Sequence, residues 1–378
     1  MDSDLILLNP RMPQAERERI ERLVRACHLD WQRGDHVWVM SSGTESQRGV
    51  RYKMVALSKK ALEAAALGVN QFFSITAKDI IFNTLPNFHV AGLLQSTRAR
   101  LSGAQLVQAP ELAWDANEFC QSLQSTGSTV TSLVPTQIYD LVKAQKKAPQ
   151  TLRCVFAGGG PLTDFLFQQA LALGWPLIRT YGMTETSAMI AYKEASSTVW
   201  RRLPHLEKWE SGRDQKIKFY GPSLLTGYLL VSPMPDSMPA GELCQWVDPK
   251  QQGWFESDDR GKIENDELLL LGRDSELVKV KGESVSLLEL NERWQRFCQE
   301  KQWSANSVIV SLPHERDGSE LVLVTEDCVL IEQIDDFQKN LLPFQKIQQV
   351  FAKTLIPRTE LGKIKTADLI HSLGVRPR

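Results

Sequence analysis

Residues Ser128–Gly182 read STVTSLVPTQIYDLVKAQKKAPQTLRCVFAGGGPLTDFLFQQALALGWPLIRTYG. Three short apolar runs, STVTSLVP, LRCVFAGGG and WPLIRTYG, each end near proline, glycine or a polar turn. Between them lie PTQIYDLVKAQKK and PLTDFLFQQALALG, which have helical patterning. Strands alternating with helices predict an α/β sheet with active residues on loops at strand ends. Upstream, DIIFNTLP and GAQLVQAP extend the strand series, and HVWVM (His36–Met40) reads as another strand. Ser58 is placed to cap a helix in KKALEAAALGVNQFF. Nearer the N-terminus, Ile20, Leu23, Val24 and Cys27 share one face of a packing helix. From Lys216 onward, KIKFYGPSLLTGYLL, GELCQWVD and GKIENDELLLLGR give closely spaced strands and turns. After Gly272–Arg273 the texture returns to mixed α and β.

Composition narrows the function classes. The chain has 378 residues, 42% hydrophobic and 24% charged, enough for a sizeable core without disulfide or metal staples. Lysine plus arginine is 44 against 45 acidic residues, so no basic footprint points to nucleic acid. The apolar run Leu268–Gly272 is far shorter than the ~20 residues of a membrane-spanning helix. The N-terminal stretch lacks the basic start and apolar core of a secretory signal. Six cysteines without a CxxC pair fit buried, reduced thiols in a cytoplasmic protein.

Several segments carry chemistry. Ser41-Ser42-Gly43-Thr44 follows a strand, and small hydroxyl residues with glycine let backbone N–H groups surround phosphate oxygens. Lys53 can add a positive charge, but no G-K-[ST] follows, so this is not a Walker A loop. TLPNFHVAGL sets His89 after a strand and a proline. FAGGGPL (Gly158, Gly159, Gly160) admits a flat group directly onto the backbone, or simply makes a turn. TYGMTETS brings Tyr181, Thr184 and Glu185 together: a ring, a hydroxyl and a carboxylate for a base, a phosphate and a metal ion.

With GWFESDDRGKI, LLGRDSELVKVKGESVSLLEL and IPRTELGKIKTADL, these motifs form an ordered series from Val37 to Leu369. The series resembles the acyl-adenylate-forming enzymes, which include CoA ligases, luciferases and peptide-synthetase adenylation domains. That resemblance implies a large N-terminal AMP-binding domain (1–272), shortened at its start, and a small mobile α+β domain (273–378). It implies ATP, Mg²⁺ and coenzyme A, with a small-molecule carboxylate as partner. Ser41, Ser42, Gly43, Thr44 and Lys53 would hold pyrophosphate, with Arg48 or Arg51 as alternatives to the lysine. Gly158–Gly160 would form the adenine shelf with Tyr181 near it. Thr184 and Glu185 would meet the α-phosphate and Mg²⁺, Asp259 the ribose and Arg273 its partner. Lys363 would bridge carboxylate and phosphate, and Ser275 would be the hinge.

Within that family TSLVPTQIYDLV, LPNFHVAGL and GWFESDDRGKI resemble the o-succinylbenzoate–CoA ligases of menaquinone biosynthesis. His89, Ser132, Pro135, Thr136 and Gln137 would then line the acyl pocket. The alternatives are a CoA ligase for another aryl or acyl carboxylate and a decayed AMP-binding paralogue. The departures are local: Glu45 and Ser46 interrupt the phosphate loop, SDD replaces the commoner Thr-Gly-Asp, and Ser275 takes the place of an acidic or lysine hinge residue.

Overall fold

The computed structural model describes residues 4–27, 35–41, 52–109, 114–195, 197–233, 242–273, 276–281, 283–301, 303, 306–314, 316–327, 330–339, 341–359 and 364–374. The alternating runs form five parallel strands in the sheet order Gln105–Gln108, Ile80–Asn83, Val130–Leu133, Cys154–Ala157 and Leu177–Met183. Helices Val90–Ser102, Ala116–Thr126, Pro135–Lys143 and Asp164–Ala172 join them. The sheet continues antiparallel through Ala188–Lys193, Trp200–Arg202, Glu267–Arg273, Trp254–Glu264, Lys216–Tyr220 and Lys208–Ser211.

Alternation along the strands sends successive residues to opposite faces. Ile81, Val130, Cys154 and Phe156 pack with helices Lys59–Phe72 and Val90–Ser102. Phe82, Leu133, Val155 and Ala157 pack with the other three. Chain order reverses between Ile80–Asn83 and Val130–Leu133, since the chain leaves one for Gln105–Gln108 and returns past it to the other. Such a reversal opens a crevice beyond the carboxyl ends of the two strands.

A second sheet has the order Leu5–Leu7, His36–Met40, Tyr52–Ser58, Gly227–Pro233 and Glu242–Val247. Ser58 caps helix Lys59–Phe72, its Oγ accepting from Ala61 N at 3.0 Å. The segment KIKFYGPSLLTGYLL therefore does not stay in one sheet: Lys216–Tyr220 joins the large sheet, and Gly227–Pro233 the second. A third sheet, built from Leu277–Val280, Glu283–Ser286, Ser307–His314, Gly318–Thr325 and Ile347–Ala352, has its own core around Trp294, Leu321 and Leu323.

No described helix is long and apolar enough to cross a membrane. The expectation of buried thiols needs correction: Cys154 and Cys298 are buried, Cys27 and Cys120 are half-buried, and Cys244 is exposed. Cys244 lies in the strand Glu242–Val247 at the end of the second sheet, which leaves its side chain uncovered.

His205 is 7% exposed and lies against Gly68, where a Cβ would come within 2.6 Å of the His205 Cβ. Its Nε2 donates to Met189 O at 3.0 Å, while Nδ1 has no hydrogen-bond partner among the described residues. Burial pulls the imidazole down to about 4, against the weaker opposing effect of the Met189 carbonyl. Between the ordinary histidine value and about 4, the unfolded chain takes a proton that the folded chain refuses, so stability falls as pH drops through that window. We expect a loss of up to ~3 kcal/mol, levelling off below pH 4. Urea midpoints of the native protein and His205→Gln, compared from pH 7 to 4, check this. A difference that stays flat across the window would refute the buried neutral ring.

Candidate active site

Asp259 and Arg273 face each other on paired strands, and Arg273 Nε donates to Asp259 Oδ1 at 2.8 Å. The other carboxylate oxygen accepts from the Tyr181 hydroxyl at 2.7 Å. Ser257, in the position that departs from the family pattern, accepts from Asp259 N at 3.2 Å and donates to Ile217 O at 3.0 Å. Its hydroxyl thus ties the Asp259 backbone to the neighbouring strand. Burial, followed by the Asp259 charge, raises the Tyr181 hydroxyl well above its usual value, so it remains a donor. The Tyr181 ring is buried near Trp200 and Phe219. Each carboxylate oxygen of Asp259 keeps lone pairs beyond these bonds, which suits acceptance from a diol.

The strand carrying Tyr181 ends in a short 3₁₀ turn, Thr184–Thr186, followed by Ser187 and Ala188 at φ +54° and +77°. Left-handed backbone is uncommon for non-glycine residues and marks a tightly constrained turn. The Thr186 hydroxyl holds it, accepting from Met183 N at 3.1 Å and donating to Ala188 O at 2.8 Å. Glu185 is thereby presented to the second sheet. There Lys53 Nζ lies 3.1 Å from Glu185 Oε1, and the Tyr228 hydroxyl donates to the same oxygen at 3.1 Å. The ammonium also sits 3.9 Å from the Tyr228 ring centroid. Lys53 and Glu185 side chains are only 12% and 13% exposed, so the pair is largely shielded from solvent.

Among the described residues no group of three or more His, Cys, Asp or Glu could hold a metal by itself. A single carboxylate nevertheless fits Mg²⁺ carried in by nucleotide phosphates, since that ion takes few protein ligands at such sites.

The residues expected to line an acyl pocket lie around the two strands between which the chain order reverses. The Gln137 amide bridges its two lips: Oε1 accepts from Val134 N at 3.0 Å, and Nε2 donates to Thr84 Oγ1 at 3.4 Å. Ser132 is buried beside Phe156 in register, while Pro135 and Thr136 open the helix. His89 precedes helix Val90–Ser102, with its ring 4.7 Å from that of Phe88. Gly158 continues the next strand against Thr180, whose hydroxyl leaves no room for a Cβ there. Gly159, at φ +81°, and Gly160 follow. Ser41 N donates to Lys53 O at 3.1 Å. Ser42, Gly43, Thr44, Arg48, Arg51, Ser275 and Lys363 lie outside the described residues.

Residues 28–229, more than half of the chain, match the model of the AMP-binding enzyme family. The chain belongs to that family. The 2-succinylbenzoate–CoA ligase of Enterococcus faecalis is 26% identical over 318 residues, which make up 80% of this chain and 63% of that one. The chain thus spans less than two thirds of that relative's length. The indoleacetate–CoA ligase of Aromatoleum aromaticum is also 26% identical, over 93% of this chain and 70% of its own. Among solved structures, o-succinylbenzoate coenzyme A synthetase of Bacillus subtilis, in complex with ATP and magnesium ion, superposes with a TM-score of 0.76 at 19% identity. That match covers 97% of this chain and 79% of the other, and it establishes the shared fold.

This member of the AMP-binding enzyme family also contains a residue that the motifs do not include. Arg98 lies on the inner face of helix Val90–Ser102, 2% exposed, with its guanidinium 5.0 Å from the Phe156 ring centroid. Its Nε donates to Leu94 O at 3.3 Å, but Nη1 has no partner, and no carboxylate pairs with the group among the described residues. Burial draws Arg98 down to about 10, so it is charged at neutral pH. Neighbouring Cys154, pushed up to about 12 by burial, is a neutral thiol and no counter-ion. The signal was in the spacing: Val90, Leu94 and Arg98 recur at four-residue intervals on one face.

Proposed function

We propose that this chain is an ATP-dependent acid–thiol ligase that adenylates 2-succinylbenzoate on its aliphatic carboxylate and passes the acyl group to coenzyme A. The observation that carries the substrate is Arg98. Its guanidinium lies against the ring of Phe156, on the strand that leads into Gly158–Gly160. An acid entering between helix Val90–Ser102 and the sheet would place its second carboxylate there. A buried guanidinium without a counter-charge is unfavourable, and a dicarboxylate supplies what it lacks. A fatty acid would leave it unpaired. Arg98 thus takes over from Ser132, Thr136 and Gln137 as partner for the second charge.

In the first step a carboxylate oxygen attacks the α-phosphorus of ATP, and the bond to pyrophosphate breaks, giving an acyl adenylate. Asp259 accepts from the ribose hydroxyls, with Tyr181 and Arg273 fixing both of its oxygens in place. By family resemblance Ser41, Ser42, Gly43, Thr44 and Lys53 would hold the departing phosphates, while Thr184, Glu185 and Lys363 would act at the α-phosphate. Mg²⁺, when bound with the nucleotide at Glu185, would offset the phosphate charge that repels the incoming anion. In the second step the thiol of coenzyme A attacks the acyl carbon and AMP leaves. Residues 273–378 would move as a domain between the steps, turning about Ser275. A cytoplasmic location, where ATP and coenzyme A are available, is part of this proposal.

The test is a panel of carboxylic acids with ATP, Mg²⁺ and coenzyme A, following AMP release and thioester mass. Native protein should prefer 2-succinylbenzoate to 3-benzoylpropionate, which lacks the ring carboxylate. Arg98→Met should lower kcat/KM for the dicarboxylate by about 10²–10³-fold, as loss of a buried ion pair implies, and leave the monocarboxylate little changed. Turnover of fatty acids but not 2-succinylbenzoate would overturn the substrate. Tight ATP binding with no acid consumed would favour a decayed paralogue.

A further inference from the structure

Helix Val90–Ser102 has to place both His89, at its start, and Arg98, two turns on. Its buried apolar contacts are few: Val90, Leu94 and Ala99, beside the polar Gln95 and Arg98 and the featureless Gly92. Side-chain packing of that kind leaves rotation and sliding of a helix weakly specified. A hydrogen-bonded hub makes up the difference. Asn83, the last residue of strand Ile80–Asn83, is fully buried. Its Oδ1 accepts from Leu85 N at 3.0 Å and from Gln95 Nε2 at 2.6 Å. The Leu85 amide is a donor only, which fixes the orientation of the Asn83 amide. Its Nδ2 faces three acceptors: Asn87 Oδ1 at 3.1 Å, Gln108 Oε1 at 3.1 Å and Gly92 O at 3.3 Å. Gln108 Nε2 returns a bond to Asn83 O at 3.2 Å.

One amide therefore ties the strand end, the turn before His89, two successive turns of the helix and the edge strand. The close approach of the helix to the turn adds to this: a Cβ on Gly92 would stand 2.6 Å from Leu85 O and nearer still to Pro86 O. We infer that Asn83 is the positioning residue of the acid pocket, setting the register of helix Val90–Ser102 so that His89 and Arg98 address the same substrate. Asn83 touches no substrate itself, and the inference rests on the ligase reading above.

The test uses the full chain carrying Asn83→Asp, which keeps the shape and both accepted bonds but loses the donations to Asn87, Gln108 and Gly92. KM for 2-succinylbenzoate should rise tenfold or more, while KM for ATP stays within about twofold. The preference for 2-succinylbenzoate over 3-benzoylpropionate should fall toward that of Arg98→Met, and the double variant should be no worse than Arg98→Met alone. A role in folding alone would lower kcat for both acids and leave both KM values and the preference unchanged. That outcome overturns the inference. Gln108→Met, altered at an exposed partner, gives the same reading on a smaller scale should Asn83→Asp not fold.

If the native protein consumes no acid at all, the ligase reading fails, and amide hydrogen exchange then decides the hub separately. Exchange across residues 85–98 should accelerate tenfold or more in Gln108→Met, with Leu177–Met183 unaffected. Equal protection in variant and native protein would refute the hub.

Discussion

Gly182→Ala is expected to lose at least 10²-fold in adenylation and to unfold at a clearly lower temperature. A Cβ on Gly182 would stand 2.6 Å from Ala188 C and from Met189 Cα, and closer still to Ala188 O. These are backbone atoms, so no side-chain rotation relieves the clash. The pairing already skips a residue here, from Tyr181 opposite Ala191 to Gly182 opposite Met189. Opening the hairpin would displace the turn that presents Thr184 and Glu185 and disturb Tyr181 on the same strand. Overpacking of this kind typically costs about 1–3 kcal/mol, and a displacement of ~1 Å at reacting groups can cost 10²-fold in rate. Calorimetry and acid-dependent exchange of pyrophosphate into ATP measure the two effects. Native-like melting with exchange within threefold of normal would show that the hairpin yields without harm.

The pair Lys53–Glu185 should show the second large effect. Lys53→Met leaves a carboxylate that is 13% exposed with only the Tyr228 hydroxyl of its two described partners, and breaking a buried pair costs about 3–5 kcal/mol. Glu185→Gln leaves the ammonium over the Tyr228 ring, a softer environment, and should be less damaging to the fold. The double variant should recover ~1–3 kcal/mol of the stability expected from adding the single losses. Activity should not recover with it. On the proposed function Lys53 offsets phosphate charge and Glu185 holds the metal, so adenylation should stay at least 10²-fold down, and Glu185→Gln alone should raise the Mg²⁺ requirement. Denaturation midpoints give the cycle, and Mg²⁺ titrations of pyrophosphate exchange give the rest. Additive stabilities or wild-type metal dependence would count against this assignment.

The parallel half of the large sheet was readable because each strand is short, apolar and closed by proline, glycine or a polar turn. DIIFNTLP and LRCVFAGGG became Ile80–Asn83 and Cys154–Ala157, and the helices between them appeared where their periodicity said. Periodicity reports which faces of a segment are covered, but not by what. For that reason the division of KIKFYGPSLLTGYLL between two sheets was not legible. The candidate site was legible as an ordered series of motifs, and the Asp259–Arg273 and Lys53–Glu185 contacts join residues that the series names separately. Arg98 and Asn83 were missed for another reason. Polar residues in a helix or at a strand end usually face water; the spacing sets Arg98 in line with Val90 and Leu94, but only the packed structure shows it and Asn83 turned inward.

The second sheet gives the chain an awkward infancy. Strand Tyr52–Ser58 finds its neighbour on one side early, in His36–Met40, but waits for Gly227–Pro233 on the other. Met54, Val55, Ala56 and Leu57 all end up buried, so the waiting strand has an open edge and apolar faces. At ordinary rates of synthesis the partner follows on the order of ten to thirty seconds later. During that interval the nascent chain is adhesive to itself and to its neighbours on the same message. Tyr228, on that closing strand, donates to Glu185 and lies beside the Lys53 ammonium, so this corner of the candidate site is completed at nearly the same moment that the chain stops being a hazard.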